Sequence, residues 1–152
     1  MLRLVLAVAL IFLAQASAHA ADRLFGIRPG MSGAEIVAAL WGQCPDEWLG
    51  PPYVSCVKDR VVIGVSLTPK DRARWVSLRD PSTLPQRAYA EALAAELGFE
   101  GPPEACKENN TYPKYCWYGD DGTVLYAGEV YPDGIYFSAL ENTRIKVEDG
   151  DD

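Results

Sequence analysis

The chain of 152 residues carries 14 lysines and arginines against 21 aspartates and glutamates, a net charge of −7 at pH 7. That balance argues against nucleic acid and anionic membrane surfaces as partners and favours a partner with a basic surface, or simply serves solubility. The sole histidine is His19.

In chain order, Arg3 and the apolar run Leu4 to Ala14 read as a signal peptide, too short and too poorly flanked for a membrane-spanning helix. Small residues close it at Ala16-Ser17-Ala18 or Ala18-His19-Ala20; the second site is preferred, making 1–20 the signal peptide and Ala21 the mature start. Cleavage there leaves 132 residues, with 13 basic against 21 acidic because only Arg3 is lost. It also removes His19, and with it any Ser-His-Asp or Cys-His relay and any His-based zinc site. No cysteine follows the apolar run, so no lipid anchor is expected. The mature chain is expected to be soluble, and periplasmic or secreted.

Ser32 is a good helix cap, and Glu35 stands at capping-box spacing from it. Ile36, Val37 and Leu40 follow at helical spacing, and Gly42 is a plausible stop. Four cysteines come next: Cys44, Cys56, Cys106 and Cys116. In an exported chain an even count reads as two disulfides; four cysteines allow three pairings, of which the short-range one, Cys44–Cys56 with Cys106–Cys116, is expected. Zinc is a poor reading without a close Cys-x-x-Cys pair. Residues 45–52 read as an irregular loop. Strands are expected at Tyr53 to Val57, Val61 to Leu67 and Ala73 to Leu78, broken by the polar turns 58–60 and 68–71.

Asp80-Pro81-Ser82 reads as an internal boundary. Thr83-Leu84-Pro85-Gln86 then opens a second helix at capping-box spacing, with Tyr89, Leu93 and Leu97 as its apolar stripe and Gly98-Phe99 as a Schellman-type ending. Strands follow at Lys114 to Tyr118, Thr123 to Tyr131 and Ile135 to Leu140, turned at Gly119–Gly122 and Pro132–Gly134. The stretch 146–152 reads as an acidic disordered tail. Asn109-Asn110-Thr111 matches a glycosylation sequon on which nothing is built. The two halves share one order: helix, glycine stop, cysteine, loop, strand with cysteine, two further strands. Leu40 and Leu97 lie 57 positions apart, Cys56 and Cys116 60 apart, which suggests internal duplication. The fold class expected is α+β, two tandem helix-plus-antiparallel-sheet repeats (21–80 and 81–145) with one disulfide each.

Ile27-Arg28-Pro29-Gly30-Met31-Ser32, with Glu35-Ile36-Val37 and Leu40, resembles the helix opening of the BamE/SmpA-like fold. Within it, the tandem-repeat β-lactamase inhibitor type is more similar still, being secreted, duplicated and disulfide-stapled once per half. Eleven residues separate Cys44 from Cys56, as in that inhibitor's first-half pair. The resemblance implies an antiparallel sheet with helices on one face and an open, concave face used to recognise proteins. It carries over neither membrane anchoring, for want of a lipidation cysteine, nor lactamase inhibition, since the inhibitor's contact loops are not recognisable here.

Aromatic side chains on an open sheet offer rigid contact area, so Trp75, Trp117, Tyr126 and Tyr136, with Trp48 and Tyr112 in loops, are the expected partner-binding residues. The alternative is a carboxylate-dependent hydrolase or a small-ligand binder. Its candidates are Asp120, Asp121 and Glu129 near one hairpin, and Asp46 with Glu47 in the first cysteine loop. Nothing in the spacing fixes a catalytic pair, and Asp120-Asp121-Gly122 lacks the ligands of a calcium site. No catalytic residue, metal or cofactor is assigned.

Overall fold

The computed structural model describes residues 23–44, 46–50, 52–107 and 114–150, with 46–50 described through their backbone alone. The first helix, α1, spans Gly33–Leu40. The Ser32 hydroxyl accepts from the Glu35 amide at 3.3 Å, and the Glu35 carboxylate accepts from the Ser32 amide at 2.8 Å, so the expected capping box is present. Ile36 and Leu40 are buried beneath it.

The chain then enters the sheet. The stretch read as an irregular loop contains strand β1, Asp46–Gly50. Its flanking prolines and its acidic start argue against a strand locally, but the free edge of the next strand supplies the missing partners. Strands β2 (Tyr53–Lys58), β3 (Val61–Leu67) and β4 (Ala73–Asp80) follow as expected. The β2–β3 hairpin turns in two residues, Asp59 and Arg60, both at positive φ (51° and 70°), the handedness that suits strand twist.

Helix α2 spans Gln86–Glu96. Its N-cap is Pro85, with no side-chain cap, so the capping box expected from Thr83 and Gln86 does not form. Its end is the Schellman motif: the Gly98 amide donates to Ala95 O and the Phe99 amide to Ala94 O. Strands β5 (Tyr115–Tyr118), β6 (Thr123–Val130) and β7 (Tyr136–Asn142) complete the sheet. Gly128 forms a bulge in β6 at φ 99°, where a Cβ would sit 2.5 Å from the Tyr115 ring.

The C-terminal stretch is not a disordered tail as far as it is described. Residues Thr143–Asp149 form helix α3, capped by Asn142 and closed by Gly150 in the left-handed region. Acidic composition alone predicts solvation, but Asp149 is buried: Thr68 Oγ1 donates to it at 2.7 Å and Arg72 Nε at 3.0 Å, with Lys70 Nζ 3.5 Å away. These donors, Arg72 first, hold its carboxyl far below the usual range.

All strands pair antiparallel in the order β1-β2-β3-β4-β7-β6-β5. The seam is β4 against β7, from Trp75 opposite Glu141 to Asp80 opposite Tyr136. Helices α1 and α2 cover one face. Ile36, Leu40, Tyr89 and Leu93 meet Cys56, Ile63, Val65, Val76, Leu78, Trp117, Leu125 and Leu140 in a cluster that crosses the expected boundary at residues 80–82. Each fully buried aliphatic side chain of this kind contributes about 1.5–3 kcal/mol. The fold is therefore α+β, stapled at Cys44–Cys56 and Cys106–Cys116, the short-range pairing. Among the described residues no helix is long and apolar enough to cross a membrane.

Candidate partner-binding face

The sheet face away from α1 and α2 is laid out by register. One row crosses the strands as Tyr53, Ser66, Trp75, Glu141, Val124 and Tyr118. The next runs Ser55, Gly64, Ser77, Ala139, Tyr126 and Cys116, and a third Val57, Val62, Arg79, Phe137 and Glu129. Small residues fill the middle row over β2, β3, β4 and β7, so larger side chains flank a shallow central trough. Tyr53 lies across it: a Cβ at Gly64 would collide with the Tyr53 hydroxyl and stand 2.7 Å from Ser77 Oγ. Beyond Tyr53 the trough opens into a cleft of about 640 Å³ bounded by Pro52, Ser66, Thr68, Asp71 and Arg74.

Several rings on this face are held by another ring or by a cation. Trp75 stacks on Tyr126 at 5.9 Å and 27°, and the Tyr126 hydroxyl donates to Glu141 Oε2 at 3.3 Å. Tyr131 meets Phe137 edge-on at 6.1 Å and carries the Arg79 guanidinium 4.9 Å above it. Tyr118 lies under Lys107 Nζ at 3.9 Å, and its hydroxyl accepts from the Lys107 amide at 2.7 Å. Cys116, Val124, Tyr126 and Ala139 form a small second core here, edged by the half-buried Trp75, Cys106, Tyr118 and Phe137.

The six expected contact residues fare differently. Trp75 is on the open face and half-exposed. Trp48 pairs with Ser55 in β1, but its side chain lies outside the described residues, as does Tyr112. The expectation that Trp117, Tyr126 and Tyr136 offer free contact area is corrected: they are 3%, 6% and 8% exposed. Trp117 faces the helices, its Nε1 donating to Gly101 O at 3.1 Å. Tyr136 stacks on Tyr89 of α2 at 4.4 Å, and its hydroxyl donates to Leu84 O. Tyr126 does belong to the open face, but as its floor. In their place stand Tyr53, 39% exposed, with Tyr118 and Phe137 half-exposed. Alternation along β2, β5 and β7 puts these three on one face; only the position of the helices tells which. Trp41, 74% exposed at the end of α1, is the largest exposed ring among the described residues and lies off this face.

Of the candidate carboxylates, the side chains of Asp120, Asp121 and Glu129 lie among the described residues. Asp121 accepts from the Thr123 amide at 2.9 Å, which holds its carboxyl below the usual range, as in an ordinary capped turn. The Asp120 carbonyl accepts from Arg144, and Glu129 stands on the open face opposite Phe137. The side chains of Asp46 and Glu47 lie outside the described residues. Two carboxylates that went unnoticed in the sequence share Arg23: its Nε is 3.2 Å from Glu96 and its Nη1 3.8 Å from Asp80. Burial raises both carboxyls, against the pull of Arg23. The cluster ties the segment before α1 to β4 and α2. Among the described residues no group of three or more His, Cys, Asp or Glu side chains is arranged to hold a metal ion. No protein-family model, curated protein or solved structure matches this chain.

Proposed function

We propose that the protein is an exported binding module that grips another protein with the open face of its sheet, as an inhibitor or an envelope assembly factor. The observation that carries this reading is the row Tyr53, Trp75 and Tyr118 with Phe137 beside it, rings partly open to solvent, with Trp75 and Phe137 each packed on another ring and Tyr118 held by Lys107. Pre-ordered aromatic area of this kind costs little entropy to bury against a partner. The net charge of −7 favours a partner with a basic surface. Two disulfides and the apolar N-terminal segment support export to the periplasm or beyond the cell.

The chain is further inferred to consist of two related units of the BamE/SmpA-like, tandem inhibitor type. Each half offers a helix, a cysteine and three antiparallel strands, and the last strand of each meets at the β4–β7 seam. Glu47 pairs with Cys56 at one edge of the sheet, and Glu104 bridges Cys116 at the other. The extra strand β1 is the main departure from equal halves.

The test is capture from envelope or secreted extract by the wild-type chain and by Tyr53→Glu/Trp75→Glu, with Trp41→Glu as the control. Binding by wild type and control, lost by about tenfold or more in the double variant, is expected, since central aromatic anchors each carry upwards of ~1 kcal/mol. Equal capture by all three would sink the open face as the contact surface.

A further inference from the structure

On the helix side, independent of the reading above, a cleft of about 350 Å³ lies between the Arg28-Pro29 loop, the Schellman end of α2 and the β5–β6 turn. We infer that this cleft binds a small monocarboxylate with an apolar body, its carboxylate held by Arg28. The Arg28 side chain is half-buried and, among the described residues, meets no carboxylate; its guanidinium gives one hydrogen bond, from Nη1 to Ile27 O at 2.7 Å. Arg23, Arg72, Arg79 and Arg87 each face a carboxylate instead. Burial lowers the pKa of Arg28 with no ion-paired carboxylate among the described residues to offset it, yet a guanidinium stays protonated at neutral pH. An uncompensated, partly desolvated cation in a cleft is what a ligand carboxylate neutralises, two-pronged where geometry allows.

The rest of the lining sets the body of the ligand. Pro29, Leu97, Phe99 and Leu140 supply apolar walls, and Gly98 and Gly119 let it approach the backbone. Asn142 Nδ2 gives one hydrogen to Thr123 Oγ1 at 3.4 Å and keeps a second. Asp121, held ionised by the Thr123 amide, disfavours a second anionic group, hence a monocarboxylate. The volume suits a compact acid, near the low end of the roughly 300–1,000 Å³ of ligand sites.

The same chemistry is offered by a free acid and by a peptide's C-terminal carboxylate. The experiment titrates the ¹⁵N-labelled full chain with 4-methylpentanoate, its neutral amide 4-methylpentanamide, and N-acetyl-Leu-Leu with a free or an amidated C-terminus. Saturable shifts of the Arg28 Nε–H and of the Gly119 and Thr123 amides are expected with the acid, the free-terminus peptide or both, and whichever binds tighter identifies the source. Arg28→Gln weakens the acid by about tenfold or more, the worth of a charge-assisted pair. Arg28→Lys, which keeps the charge, loses less, and Asp121→Asn tightens binding by a few-fold. No saturable shift with either carboxylate, equal shifts with the neutral amides, or unchanged binding in a folded Arg28→Gln protein would overturn the inference. Should Arg28→Gln fail to fold, a null effect of Asp121→Asn together with equal binding of acid and amide overturns it equally.

Discussion

Both disulfides run from the loop after a helix to a nearby strand, β2 in the first case and β5 in the second, yet they end on opposite faces of the sheet. Cys44–Cys56 lies inside the core under α1. In β5 the helix-facing position is taken by Trp117, so its neighbour Cys116 points the other way, and Cys106–Cys116 sits on the open face beside Tyr126. One cross-link closes the interior; the other rivets residues 104–107 over the aromatic row, where Lys107 meets Tyr118. A staple of similar length thus lies within the core in one half and shapes the open sheet face in the other.

The comparison is sharpest where the cysteines are removed. Replacing Cys44 and Cys56 by alanine loses about 3 kcal/mol of chain restriction plus ~1 kcal/mol of core packing, read by urea denaturation. Replacing Cys106 and Cys116 loses about 3 kcal/mol, with the α1 and α2 amides still protected from exchange. A larger cost for the second pair would break the contrast. Next, Trp75→Ala should cost only about 1–2 kcal/mol, because the ring is half-exposed, while abolishing partner capture. A cost above ~3 kcal/mol would make the open face part of the core.

The smallest effect is electrostatic and contrasts two carboxylate sites. Asp149 is depressed by Arg72 and Thr68, so its contribution to stability is present above the ordinary aspartate range and lost as pH falls below it. Asp80 and Glu96 are raised by burial; being ionised costs stability above their folded pKa, and that cost is relieved as pH falls through it. Carboxyl ¹³C titration should therefore find Asp80 and Glu96 protonating first and Asp149 last. The reverse order would contradict the buried Arg72 contact.

Much of this was written in the sequence. Ser32 with Glu35, and Gly98 with Phe99, announce their helix ends because capping is local chemistry. The alternation of Leu125 and Ala127 against Val124 and Tyr126 was legible for the same reason. What local chemistry cannot say is which face the helices will choose, and so Trp117 and Tyr136 looked equal to Trp75. Strand β1 and helix α3 were hidden differently. Each depends on a distant partner, the free edge of β2 for one and Arg72, 77 residues from Asp149, for the other.

The β4–β7 seam has a consequence for how the chain is made. Until residues 136–142 emerge, β4 has a bare edge, and the first half presents an unpaired strand bearing Trp75 and Val76. A chain emerging from its N-terminus carries that sticky border until β7 is there to pair with it.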